Sequence, residues 1–224
     1  MPLDLGPFWL SLRVAAMATL AIIALGVPLA YVLARTRFPG KGLISGVMVL
    51  PLVLPPTVLG FALLHLIGRR AALGLWMESR LGVVLVFHWT GAVVASAVAA
   101  FPLFLIPARS AFEGVDPALE DVARLLGRRE GSVFLHVTLP LAWRGLASGT
   151  VLAFARALGD FGATLMVAGD LPGRTRTASL AIFNAVQVDD LRTATWLTLL
   201  ITAVSVAALI VAQQAAPPAQ GAIR

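Results

Sequence analysis

Five runs of residues with almost no charge, Val14–Ala34, Leu43–Ile67, Leu81–Ala108, Gly145–Ala168 and Ala194–Ala216, constrain this chain more than any other feature. Each exceeds the roughly 20 apolar residues that cross a hydrocarbon core of about 30 Å as a helix. Strands of a membrane barrel would alternate apolar and polar residues over about ten positions, and these runs do not. The expected fold is therefore an all-α membrane protein. The composition agrees: 59% of residues are hydrophobic and 12% are charged, where a soluble domain carries about 25% charged residues. So little polar surface excludes a soluble globular domain, a disordered chain and a coiled coil, and the net charge of +6 does not by itself argue for nucleic acid.

The absence of cysteine excludes a disulfide framework, a thiolate metal site and thiol catalysis. His65, His88 and His136 lie in separate segments with no metal-ligand spacing, and no GxxxxGK[ST] phosphate loop is present. A membrane-embedded enzyme needs a convergent set of acids, a His dyad or a Ser-His pair, and the segments supply none. The segments therefore support no enzyme, no cofactor and no metal. The first run is not preceded by a basic region, so it reads as a true span rather than a signal peptide. The chain reads as one domain over residues 1–224, with a frayed tail at 217–224 and a short re-entrant or sixth helical piece at Phe183–Val188.

The longest polar stretch, residues 115–140, has too much local order for a simple connection. Asp116-Pro117 is a helix start, with Asp as cap and Pro at the first helical position. Leu119, Val122, Ala123 and Leu126 follow at i, i+3, i+4 and i+7, which places them on one apolar stripe. Glu120 and Arg124 form an acid-before-base pair on the polar side, and Gly127 stands where a helix ends. A helix lying on lipid usually carries Lys and Arg along its polar face. Here Glu120, Asp121 and Glu130 are mixed with arginine, which suits a groove on a soluble partner better.

Two features lie at membrane depth. Pro51, Pro55 and Pro56 interrupt the second run; proline lacks the amide donor and clashes with the preceding turn, so the helix must kink or open. Lipid cannot satisfy the freed carbonyls, so Pro55, Pro56 and Thr57 either line a translocation path or mark a packing kink. Arg156 and Asp160 are the formal charges well inside a run. Unpaired, each costs about 2.5–3.5 kcal/mol, but their i, i+4 spacing lets them neutralise one another as a gate, a dimer contact or a structural pin. That reading ranks ahead of direct anion contact.

Glu120-Asp121-Val122-Ala123, Gly127, Val137 and Leu139-Pro140 resemble the EAA loop of ABC-importer permeases, with Val122 where one alanine is expected. The segments Pro51–Gly60 and Ala153–Thr164, with Pro172-Gly173-Arg174-Thr175, resemble permeases of the molybdate type. Asp160 and Asp170 stand where Glu and Asn are common in that family. The resemblance implies a type I ABC importer permease of about five to six transmembrane helices. Residues 115–140 then form a cytoplasmic coupling loop, with Leu119, Glu120, Val122, Ala123, Leu126 and Gly127 meeting an ATP-binding subunit. The implied partners are two copies of that ATPase, a second copy of the chain, an extracytoplasmic binding protein and membrane lipid. The implied cargo is an oxyanion: molybdate or tungstate, with sulfate or thiosulfate as the alternative. A secondary carrier or channel would leave the capped loop unexplained. The resemblance also puts the N-terminus outside and the C-terminus in the cytoplasm. Nine basic residues on inner segments against seven on outer ones favour that orientation only slightly.

Overall fold

The computed structural model describes residues 4–215, so the expected tail at 217–224 lies outside the described residues. Within them the secondary structure is entirely helical. Three single helices are long and apolar enough to cross a membrane: α1 (Gly6–Arg35), α5 (Trp89–Glu113) and α11 (Leu191–Ala215). A fourth crossing is the continuous rod Glu130–Leu158. It comprises α7 (Glu130–Val133), a π-helical turn (Phe134–Thr138) and α8 (Leu139–Leu158). A fifth is reached if α3 (Pro56–Ile67) and α4 (Ala72–Leu81), bent by 56° against each other, count as one broken span. The shorter helices are α2 (Lys41–Val53), α6 (Pro117–Leu125), α9 (Gly162–Ala168) and α10 (Ala178–Gln187).

Three of the five runs fold differently from their apolar limits, each for a local reason. The second run is not one kinked helix but two, α2 and α3. Leu54 (ψ 139°) and Pro55 (ψ 136°) are both extended between them, because a residue before proline is driven out of the helical region and here two such residues adjoin. In the third run the helix begins at Trp89, not Leu81, and continues to Glu113. Its last turn is held by the Arg109–Glu113 pair at 2.8 Å, and Arg109 also donates to Ser45 Oγ on α2. The fourth run is displaced: the crossing rod starts at Glu130 and stops at Leu158, well short of Ala168. The re-entrant piece expected at Phe183–Val188 starts earlier, as α10. Asp190 precedes α11 and accepts from the Thr193 amide; its hydrogen bonds with Thr193 hold its carboxyl below the usual range.

Helix α5 is the centre of the bundle, packed most heavily against α8 and α1. The seam is built from small residues, with Ala15, Ala18, Ala100, Ala108, Ala142 and Ala153 all buried. In lipid there is little hydrophobic gain from bringing helices together, so close approach of backbones supplies the attraction. A β-carbon on Gly149 would sit 3.0 Å from the Phe104 carbonyl oxygen, and one on Gly26 would sit 2.7 Å from the Phe104 ring. Gly159 meets only Ala155 O at 3.7 Å and ends α8 as its C-cap. Gly149→Val is expected to destabilise the bundle by about 1–3 kcal/mol through overpacking. Gly159→Ala has room and is expected to cost less, and thermal unfolding in detergent separates the two.

Candidate functional site

Helix α6 is defined at both ends by its own side chains and backbone. Asp116 Oδ1 accepts from the Ala118 amide at 2.9 Å, and Pro117 occupies the first turn. At the other end the Gly127 and Arg128 amides donate to the carbonyls of Arg124 and Ala123. Gly127 there has φ +80°, a left-handed position that favours glycine. The apolar stripe faces outward: Leu126 is 79% exposed, while Leu119 and Val122 are about half exposed, with Ala123 half-buried. The row of leucines on this short polar-flanked helix is left uncovered among the described residues.

Glu120 corrects the expectation that it sits on the solvated polar side. It is only 3% exposed. Its Oε1 accepts from Arg35 Nη2 at 2.6 Å and from Thr138 Oγ1 at 2.8 Å, while Arg124 stands off at 3.6 Å. Arg35 also donates to the Val115 carbonyl. One carboxylate therefore joins the last residue of α1, the start of α6 and the π turn that leads into α8. A π turn adds a residue to the helical ladder and re-aims the side chains beyond it, and such turns recur at functional positions; here it holds Thr138, fully buried, against Glu120. Tyr31, Phe112 and Phe134 pack edge-on nearby. Arg124 pairs mainly with Glu130 and Asp121, at 2.8 and 2.7 Å, and those bonds raise its pKa above the ordinary arginine value.

The second cluster surrounds Asp160, buried at the break between α8 and α9. Its Oδ1 accepts from Arg156 Nη1 at 3.1 Å, and its Oδ2 accepts from the Thr164 amide and hydroxyl at 2.9 and 2.7 Å. The Asp160 carbonyl accepts from Ser179 Oγ on α10, and Thr164 Oγ1 lies 3.3 Å from Ser96 Oγ on α5. The carboxylate thus caps α9 and ties it to α8, while the Asp160 carbonyl and Thr164 link the break to α10 and α5. Arg156 keeps its side chain 30% exposed. Pro56 and Thr57 come to the same place, since a β-carbon on Gly162 would meet Pro56 Cβ at 2.8 Å and Thr57 N at 3.6 Å. Pro55, Pro56 and Thr57 are themselves exposed.

Residues 26–219 match the model of the binding-protein-dependent transport system inner membrane component. The chain belongs to that family. Over 178 residues this family member is 47% identical to the molybdenum transport system permease protein ModB of Escherichia coli K12, covering 80% of this chain and 78% of that one. It is 42% identical over 179 residues to the putative molybdenum transport system permease protein YvgM of Bacillus subtilis 168, at 80% and 79% coverage. The fold matches that of the MetNI methionine ABC transporter in inward-facing conformations, with TM-score 0.72 and 15% identity over 95% of this chain and 94% of that one. It also matches a bacterial alginate ABC importer, with TM-score 0.72 and 16% identity over 96% and 78%. The fold is that of a type I ABC importer permease.

In this inner membrane component the structure joins two groups of residues that are separate in sequence, Pro56-Thr57 and Arg156-Asp160. It keeps α6 apart from them. Arg35 and Thr138, which hold Glu120, are 85 and 18 residues from it in sequence, and no periodicity within α6 points to either. Removing one partner of a buried ion pair costs about 3–5 kcal/mol. Arg35→Ala is therefore expected to loosen α6 while leaving the span helices in place, read as faster amide hydrogen exchange over residues 117–126. Asp160→Asn turns one acceptor into a donor facing donors, so it is expected to lower the unfolding temperature more than Arg156→Gln does. Equal unfolding temperatures for the two variants would contradict the cap role.

Proposed function

We propose that this chain is the membrane-spanning subunit of an ATP-driven importer of a tetrahedral oxyanion, molybdate or tungstate, with the ATP hydrolysed by a separate subunit. The observation that carries it is α6: an apolar face left outward on a helix whose one buried carboxylate is anchored to α1 and to the π turn. A helix docked on a motor by its exposed face moves the spans only if its other face is fixed to them, and Glu120 is that fixture. The identity to molybdenum permeases over four-fifths of the chain supports the choice of anion.

In this reading two copies of the chain pair about a two-fold axis, and each α6 meets one ATPase. The α6 end lies in the cytoplasm, which puts the N-terminus outside and the C-terminus inside. A binding protein delivers the anion from the other side. The Pro55–Thr57 break and the Asp160 node form the hinge region of the path. The helix there is already interrupted, so small rotations cost few backbone hydrogen bonds. Because Asp160 occupies Arg156 and seals α9, the node acts on the geometry of the path and not as a storage site for the anion.

Reconstituted with its ATPase, the complex is expected to hydrolyse ATP faster when binding protein loaded with molybdate or tungstate is added than with sulfate. Stimulation by none of the three would overturn the reading. Gly127→Asp, which places a side chain on a left-handed residue and a negative charge at the carboxyl end of α6, is expected to leave insertion intact and uncouple hydrolysis from uptake. The chain lacks cysteine, so orientation is directly testable. Gly131→Cys should react with a membrane-impermeant thiol reagent only from the ATPase side, and Pro172→Cys only from the opposite side.

A further inference from the structure

The end of the bundle opposite α6 holds a cavity of about 380 Å³ that none of the roles above uses. Arg13, His88, Trp89, Arg174 and Arg176 line it, with Asp4 among the lining residues as well. These cations are not equivalent. Arg176 is committed, since its guanidinium makes two bonds to the Asp170 carboxylate at 2.6 and 3.0 Å. Arg13 is held differently: its Cζ lies 4.0 Å above the Trp89 ring. Stacking by the flat face fixes a guanidinium without consuming its in-plane N–H donors. Arg174 has no ion-pair partner among the described residues. It lies in the turn after Gly173, which has φ +70°. His88 Nδ1 is taken by the Thr90 amide and hydroxyl, which leaves Nε2 as the donor of the neutral ring.

One wall of the cavity carries backbone strain. Phe87, another lining residue, has φ +58°, a left-handed conformation that is strained for a side-chain-bearing residue and persists where the surroundings impose it. Its amide donates to the Val167 carbonyl at 3.1 Å, and its ring lies against Gly169, where a β-carbon would come within 3.0 Å. Two cations with free donors, a histidine donor and a rigid aromatic wall thus converge on a volume open to the exterior. Against them stands one uncommitted carboxylate, Asp4, whose Oδ1 accepts from the Gly6 amide. The excess is one positive charge, enough to attract an oxyanion and too little to retain it tightly.

We propose that this cavity is a reception site for a free tetrahedral oxyanion, gripped by Arg13 and Arg174 and hydrogen-bonded by His88, at the mouth where cargo arrives. It rests on the reading of the chain as an oxyanion importer with its α6 end in the cytoplasm. Asp4 works against binding there, which sets the affinity low and favours onward release.

The test uses the complete transporter without binding protein, in nanodiscs of neutral lipid, with radiolabelled molybdate in equilibrium dialysis. Each hydrogen bond to a charged group contributes about 1.5–3 kcal/mol, so Arg13→Ala and Arg174→Ala are each expected to weaken binding by about tenfold or more. Asp4→Asn should strengthen it, and Arg80→Ala, which removes a charge outside the cavity lining, should leave it unchanged. Arg174 sits in an exposed turn, so its variant reports on binding even if Arg13→Ala folds poorly. Molybdate binding that survives loss of both arginines, in a complex that still imports molybdate, overturns the reception site and leaves the importer reading standing. Arginine-dependent binding in a complex that imports no oxyanion upholds the site and overturns the importer reading. Arginines that retain phosphatidylglycerol and take up no molybdate assign the cavity to lipid and overturn the inference.

Discussion

A carboxylate buried beside the membrane is tolerable only if its charge is answered, and the α6 end of this permease is arranged around that requirement. Glu120 is answered by Arg35 and Thr138, which belong to different parts of the chain. Because the ion pair cannot be broken cheaply, α6 cannot slide along its bed without carrying the end of α1 and the π turn with it. Fixing the polar side of α6 also decides which side is free. The leucines face outward because Glu120 faces inward, and an apolar row that cannot turn back to the protein is available to a partner.

The Asp160 node applies the same logic at membrane depth with a different result. There the carboxylate is answered three times, by Arg156 and by the amide and hydroxyl of Thr164. It caps a seven-residue helix that could not hold its own first turn in lipid. This explains why the apolar run Gly145–Ala168 does not form one helix. The chain breaks at Gly159, and the cost of the break is offset by the cap and by Ser179 bonding the Asp160 carbonyl. The break then packs beside the extended Leu54-Pro55 step, so two interrupted helices share one neighbourhood.

The sequence made legible whatever depends on neighbours within about one turn. The Asp116-Pro117 start, the Gly127 stop and the Arg156–Asp160 pair lie within four residues of the groups they satisfy, and each stands in the structure where the spacing put it. The polar side assigned to Glu120 failed because helical periodicity sorts residues into faces but cannot say which face is buried. That was decided by Arg35, 85 residues away. Limits of the crossing helices failed for a related reason: hydropathy registers apolar content, while the helix at Trp89 starts where the His88 ring caps the Thr90 amide and the rod at Glu130 starts after the extended Arg129. The cavity lined by Arg13 and Arg174 was the least legible. Its cations come from α1 and from the turn at residues 173–176, and only their shared proximity to Trp89 and His88 makes them a group.

Helices α1 and α5 connect the two ends of the molecule. Arg13 on α1 stacks on Trp89, the first residue of α5, at the cavity opposite α6. At the other end Arg35 closes α1 and bonds the Val115 carbonyl just beyond α5. Between those points the two helices meet through alanines and through Gly26 against Phe104. Small-residue seams leave little slack, since interiors packed this closely shift between discrete arrangements rather than deforming smoothly. The span from Arg13 to Arg35 is about 33 Å at the helical rise of 1.5 Å per residue, with Pro28 between them as a point where α1 can bend. A grip formed by two arginines on separate elements is weakened by any movement that separates them. In the proposed importer, a movement of α6 passed along α1 and α5 would separate the two arginines and loosen the proposed hold on the anion.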